Sequence, residues 1–275
     1  MTEHINLLDL SPKKIFDAFP SKIEKKFGQN FLFDEKINRR IISVAGDLAG
    51  KTVAEVGPGP GGLTLEILKR GVKKLFVVEF DPHWSAVWRS LSSTFDGKLE
   101  VIEEDALKVD FKALAPNAII SNLPYNISAQ LLVKWLRNSD AYEQFVLMFQ
   151  KEVADRLYAS PSTKAYGRLS VLTQCNATVA KAFDVEPGSF FPPPKVRSTV
   201  VKLIPKTDRA ICDFNAFSDL LTAAFANRRK TVVKSLSKFF QDPERILSDL
   251  GYSPNARAEE ISAEDYERMG VLATS

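Results

Sequence analysis

The stretch Gly57-Pro58-Gly59-Pro60-Gly61-Gly62 constrains this chain more than any other feature, because it joins an apolar run at 52–56 to a segment with helical spacing at 63–68. Glycines at such a junction allow the backbone to turn sharply from strand to helix, which makes this the first βα turn of a nucleotide-binding sheet. Further short apolar runs at 75–80, 99–102, 118–120 and 145–149 read as buried strands, and residues 84–91 and 129–136 carry helical spacing between them. Alternating strand and helix predicts an α/β fold with a mostly parallel sheet covered on both faces. Beyond residue 153 the rhythm changes. A helix around 167–175 precedes two more predicted strands, 178–185 and 196–204, which could pair as an antiparallel hairpin across the Phe190-Phe191-Pro192-Pro193-Pro194 segment.

Gly57, Gly59 and Gly62 satisfy G-x-G-x-x-G, and Glu79 follows 22 residues after Gly57 at the end of the second predicted strand. That pattern admits a dinucleotide oxidoreductase as readily as other nucleotide binders. Two local features argue for a different ligand. Pro58 and Pro60 have no backbone N–H, so the loop loses two donors that would cradle a pyrophosphate. Glu55, Glu79, Asp81 and Asp105 lie near the carboxyl edge of the strands, where they repel phosphates, accept hydrogen bonds from hydroxyls and attract a cation. S-adenosylmethionine carries a ribose, an adenine and a sulfonium and no phosphate, and fits this rim. The plainer alternative is that the glycines only make a tight turn and the acids are solvated strand ends.

The fourth predicted strand ends in Asn122-Leu123-Pro124-Tyr125-Asn126. Such an end supplies an amide oxygen, a rigid backbone carbonyl and a flat ring in one place. Methylation of an exocyclic amine needs this set: the lone pair of an adenine N6 is delocalised into its ring, and two acceptors that take the amine hydrogens turn it toward an incoming methyl. Asn122 Oδ1 and the Leu123 or Pro124 carbonyl are candidate acceptors, with Tyr125 stacking on the base. The competing reading is a helix N-terminal turn, with Asn122 or Asn126 as its cap.

Composition matters here for what it excludes. Cys175 and Cys212 lie far apart, and the only histidines are His4 and His83, so neither a disulfide framework nor a Cys/His zinc cluster is expected. No apolar run approaches the roughly 18–20 residues of a membrane helix, and no signal-peptide core is evident, which predicts a cytoplasmic protein. The charge balance of 37 basic against 34 acidic residues says little by itself. Its distribution says more. Five lysines between residues 11 and 26 suggest a basic, loosely structured arm, and 205–209 reads as a linker. From Phe214 onward the chain reads as helical throughout, with Arg228, Arg229, Lys230, Lys234 and Lys238 facing no acid between 225 and 240. Lys230, Lys234 and Lys238, spaced i, i+4, i+8, predict one charged stripe suited to RNA phosphates, or else an ordinary solvated face.

Seven motifs then occur together in one order: Gln29-Asn30-Phe31-Leu32, Glu55-Val56-Gly57-Pro58-Gly59, Glu79-Phe80-Asp81, Glu104-Asp105-Ala106, Asn122-Leu123-Pro124-Tyr125-Asn126, Phe190 through Val196, and Arg228-Arg229-Lys230-Thr231. In this the chain resembles the small-subunit ribosomal RNA adenine N6,N6-dimethyltransferases, from about residue 26 to about residue 269. The resemblance implies a class I, Rossmann-like S-adenosylmethionine-dependent methyltransferase domain over 26–204 and a C-terminal helical RNA-binding domain over 205–275, with the basic arm over 1–25 outside the match and its role open. It implies a monomer that dimethylates two adjacent adenines near the 3′ end of small-subunit rRNA in a pre-ribosomal particle, without metal or membrane. By the same resemblance, Asn30, Leu32, Gly57, Glu79, Asp105 and Asn122 would contact the cofactor. Asn122, the Pro124 carbonyl and Tyr125 would hold the target amine, and Phe190 would close the other face of the base. Rival expectations are a non-catalytic assembly or transcription factor on the same fold and a large-subunit rRNA adenine methyltransferase.

Overall fold

Residues 10–21, 29–207, 213–227 and 230–274 are described by the computed structural model. They fall into two units, one of Met1–Ala154 with Ala180–Ile204 and one of Asp155–Val179 with Pro205–Ser275. The strands are β1 (Phe31–Leu32), β2 (Thr52–Val56), β3 (Lys74–Glu79), β4 (Leu99–Glu103), β5 (Ala118–Asn122), β6 (Gln144–Gln150), β7 (Ala177–Val185), β8 (Phe190–Phe191) and β9 (Ser198–Pro205). The helices are α1 (Pro12–Ala18), α2 (Glu35–Ala45), α3 (Gly62–Leu68), α4 (Pro82–Leu91), α5 (Phe111–Leu114), α6 (Ser128–Leu136), α7 (Lys151–Leu157), α8 (Arg168–Asn176), α9 (Phe214–Ala224), α10 (Val233–Leu236), α11 (Pro243–Asp249) and α12 (Ala263–Thr274). No helix among the described residues is long and apolar enough to cross a membrane.

Seven strands form the main sheet in the order β4-β3-β2-β5-β6-β9-β7. The first five run parallel, as the predicted alternation requires, and β9 lies antiparallel to β6 with Leu147 opposite Val201. The predicted terminal pair is therefore present as neighbouring strands, with β9 also closing the parallel array. Central strands are buried on both faces, so Phe145 to Phe149 in β6 are all nearly inaccessible, whereas edge strand β4 is only partly covered and leaves Glu100 and Glu103 exposed. After β4 the chain returns to the opposite side of β2 to form β5. This reversal between β2 and β5 opens a crevice at their carboxyl ends.

Three elements differ from the sequence expectation. Residues 12–18 are helical rather than loose: Ser11 caps the first turn by accepting from Lys14 N at 3.2 Å, Pro12 occupies the first position, and Ile15 is buried. Lys22, Lys25 and Lys26 lie outside the described residues. A two-stranded sheet pairs β1 with β8, Leu32 opposite Phe190, and has too few residues to leave a periodic signal.

The second unit packs α8, α9 and α12 around Tyr166, Phe217 and Tyr266, with Gly270 admitting the Phe217 ring where a Cβ would sit 2.6 Å from it. It is not helical throughout. After α9 the chain breaks into short pieces: Lys230 lies in a bend, only Val233–Leu236 is α-helical around Lys234, and Lys238 is in a turn. Thr231, Val232, Val233 and Ser235 are poor helix formers, and Thr231 instead forms a β-bridge with Arg257. The predicted lysine stripe is thus not one helix face, although all three lysines are exposed.

Candidate active site

Strand β2 delivers Glu55 and Val56 to the glycine loop, where Gly57, Gly59 and Gly61 all take positive φ. Space is as limiting as conformation. A Cβ on Gly61 would lie 2.2 Å from Trp88 Cζ2, and one on Gly59 would lie 2.8 Å from the Phe31 ring. The loop's donors are already used: Gly57 N–H donates to Val78 O at 2.9 Å, Gly61 N–H to Pro58 O at 2.9 Å and Gly59 N–H to Glu79 Oε2 at 3.4 Å. With Pro58 and Pro60 between them, positions 57 to 61 have no backbone donor left for a phosphate.

The acids at the strand ends are buried. Glu55 is 2% exposed and accepts from the Thr64 hydroxyl at 2.7 Å. Burial, reinforced by nearby Glu79, pushes its carboxyl up to about 8 despite that hydrogen bond. Glu79 accepts from Asp81 N–H at 2.9 Å, and burial pushes it up to about 7. Asp81 caps α4 through His83 N–H and accepts from Gln29 Nε2 at 2.7 Å, which ties the Gln29-Asn30 segment to the end of β3. Two buried carboxyls with no cationic partner among the described residues form a site suited to an uncharged or positively charged ligand.

Asn122 is the last residue of β5, opposite Met148 of β6. Its Nδ2 donates one hydrogen to the Asn30 carbonyl at 3.1 Å, which orients the amide and leaves Oδ1 to accept from a ligand. Ser121 next to it is anchored to the Val56 carbonyl at 2.6 Å, so the ends of β2 and β5 hold together. The alternative capping role falls away: α6 is capped at Ile127 with no side-chain contribution. The Pro124 carbonyl accepts Ile127 N–H at 3.1 Å, which uses one of its two lone pairs. Tyr125 is pinned through a 2.6 Å hydrogen bond between its hydroxyl and Ser198 Oγ of β9, and burial raises its phenol.

These residues converge on an open cleft lined by Asn30, Leu32, Glu55, Gly57, Glu79, Asn122, Pro124 and Tyr125. A second hollow shares Gly57, Glu79 and Pro124 with it and is lined further by Phe80, Asp105, Ala106 and Leu107. Every sequence-predicted cofactor residue lines one or the other. Phe190 lines neither: it is 4% exposed in β8, opposite Leu32. Lys230 and Lys234 belong to the second unit, and Arg228 and Arg229 lie outside the described residues. Sequence reading passed over Gln29 and Phe80 as site residues. Phe80 is 59% exposed although it ends an apolar run, because the strand stops one residue earlier and the ring faces the hollow instead of the core.

Residues 20–273 match the ribosomal RNA adenine dimethylase family. The chain is 46% identical over 248 residues to ribosomal RNA small subunit methyltransferase A of Rhodospirillum rubrum, covering 89% of this chain and 86% of that one. It is 43% identical over 264 residues to the protein of that name from Paramagnetospirillum magneticum, covering 94% of each. Among solved structures, a dimethyladenosine transferase from Plasmodium falciparum is similar with a TM-score of 0.74 at 28% identity, over 87% of this chain and 94% of that one. The 23S rRNA methyltransferase ErmE, at 24% identity and a TM-score of 0.66, over 90% of this chain and all of that one, shares the fold.

Proposed function

Because the chain belongs to the ribosomal RNA adenine dimethylase family, we propose that it dimethylates N6 of two adjacent adenines near the 3′ end of small-subunit rRNA. S-adenosylmethionine, when bound, supplies the electrophilic methyl group. The cleft fits that cofactor: it has buried acids, no backbone donor left for phosphate between 57 and 61, and two joined hollows for a bipartite ligand. Asn30, Leu32 and Gly57 would hold the amino-acid end, Glu79 the ribose hydroxyls and Asp105 the adenine amine, with Phe80 against the adenine face.

The observation that carries the reading is the fixed orientation of Asn122. With one N–H of its amide committed to the Asn30 carbonyl, the side chain is oriented so that Oδ1 accepts one amine hydrogen, and the second lone pair of the Pro124 carbonyl accepts the other. These two acceptors hold the amine hydrogens and stabilise the positive charge that grows on N6, so the rate comes from alignment and electrostatics and not from a strong base. Tyr125, held by Ser198, stacks on the extruded base and offsets part of the few kcal/mol lost on unstacking. Phe190, buried opposite Leu32, supports the β1 segment that lines the cleft and does not itself face the base. Lys230 and Lys234, with Arg228 and Arg229, bind rRNA phosphates in a pre-ribosomal particle, and the protein acts as a cytoplasmic monomer.

Incubating the protein with S-adenosylmethionine and undermethylated small subunits, then mapping methylated nucleosides by mass, should reveal two adjacent N6,N6-dimethyladenines. Asn122→Ala should lose about 100-fold or more in rate with an unchanged melting profile. Retained turnover in that variant would remove Asn122 from its role.

A further inference from the structure

The turn that follows β4, residues 104–109, carries Asp105, Ala106 and Leu107 into the second hollow. Its internal bonds are short-range: Lys108 N–H donates to Asp105 O at 2.8 Å, and Leu107 N–H donates to Asp105 Oδ1 at 2.9 Å. The second of these commits one carboxylate oxygen and leaves Oδ2 for a ligand. Three carbonyls of the turn, those of Ala106, Leu107 and Val109, converge on a single ammonium. Lys134 Nζ, reaching from the last turn of α6, donates to them at 3.1, 2.6 and 2.6 Å. The same Nζ lies 5.7 Å from the Phe111 ring centroid. All three of its donors are spent on backbone, so this lysine has no hydrogen left for solvent or an acid. Burial lowers its pKa against the opposing effect of Asp110 and Asp105, a cost that a solvated surface lysine does not bear.

We propose that Lys134 is a positioning residue for cofactor binding: by drawing three carbonyls of the 104–109 turn toward α6, it fixes the face of that turn which carries Asp105 toward the adenine end of the cofactor. This rests on the assignment of the second hollow to that end. A turn of this length has many alternative conformations, and fixing it before binding removes an ordering cost from the ligand's affinity. Methionine at this position retains the length and packing of the stem but provides no donor, whereas arginine retains donors.

Calorimetry with S-adenosylhomocysteine on the full chain, combined with amide hydrogen exchange, tests this. Lys134→Met should weaken binding about tenfold, the value of about one charge-assisted hydrogen bond, and raise exchange at 105–109 while the sheet stays protected. Lys134→Arg should bind within about threefold of the parent. Binding by Lys134→Met within about twofold of the parent, or faster exchange spread through the whole sheet, overturns the proposal. Asp105→Asn separates the two layers. If it too binds unchanged, the assignment of the second hollow fails; if it weakens binding while Lys134→Met does not, only the role of Lys134 fails.

Discussion

At the scale of single residues, the buried acids set the pH behaviour. Glu55 and Glu79 have folded-state pKa values of about 8 and about 7, both above the ordinary carboxylate value of 4.5. The native chain therefore holds more protons than the unfolded one between about pH 4.5 and 8. In that window stability falls as pH rises, and below it neither group contributes a penalty. Glu55→Gln should abolish the larger share of this effect, because the amide oxygen still accepts from the Thr64 hydroxyl and needs no proton. Its melting temperature should match the parent's near pH 5 and exceed it increasingly toward pH 9. A gap that does not change with pH would show that Glu55 is ionised in the folded protein. Glu79 predicts the opposite trend for the ligand. A ribose hydroxyl donates to the carboxylate, so S-adenosylhomocysteine should bind more tightly as pH rises through 7.

At the scale of elements, the glycine loop and α4 are built as one piece. Trp88 donates its indole N–H to the Gly59 carbonyl at 2.7 Å, and its ring occupies the space where Gly61 would otherwise carry a Cβ. Gly61→Ala must both adopt φ near +90° and displace a fully buried Trp, so it should cost about 3 kcal/mol or more and be read as a lowered denaturation midpoint. The strands and the site helices were legible because two-sided burial writes continuous Val, Ile, Leu and Phe runs into β2, β3, β5 and β6. Helix α1 was hidden because three of its seven residues, Lys13, Lys14 and Asp17, are charged and read as solvated chain unless Ile15 and Phe16 are known to meet a partner. Phe16 meets several: its ring lies 5.5 Å from Phe33, 5.9 Å from Phe31 and 6.2 Å from Trp84.

At the scale of the whole molecule, the net charge of +3 is too small to draw RNA by itself, so attraction depends on where the cations sit. Binding to small subunits should weaken about tenfold or more between 50 and 200 mM salt, and Lys234→Ala should reduce the slope of that dependence by about one. An unchanged slope would place the RNA contacts elsewhere. The exposed lysines at 230, 234 and 238 were visible as a charge cluster, but their arrangement was not. A four-residue spacing forms a stripe only on a continuous helix, and β-branched residues with the Thr231 to Arg257 bridge prevent one.

The sequence alone determined the parallel α/β sheet, the phosphate-averse glycine loop, the acids at its rim and the Asn-Leu-Pro-Tyr strand end. Each of these depends on local chemistry: missing proline N–H groups, periodic burial, or adjacent residues on one turn. Only the tertiary structure decided which donors are spent and which acceptors remain. The Asn122 to Asn30 bond spans 92 residues, the Tyr125 to Ser198 bond 73, and the three bonds from Lys134 between 25 and 28. Partners so far apart in the chain leave no spacing to read, since their meeting is set by strand order and sheet twist.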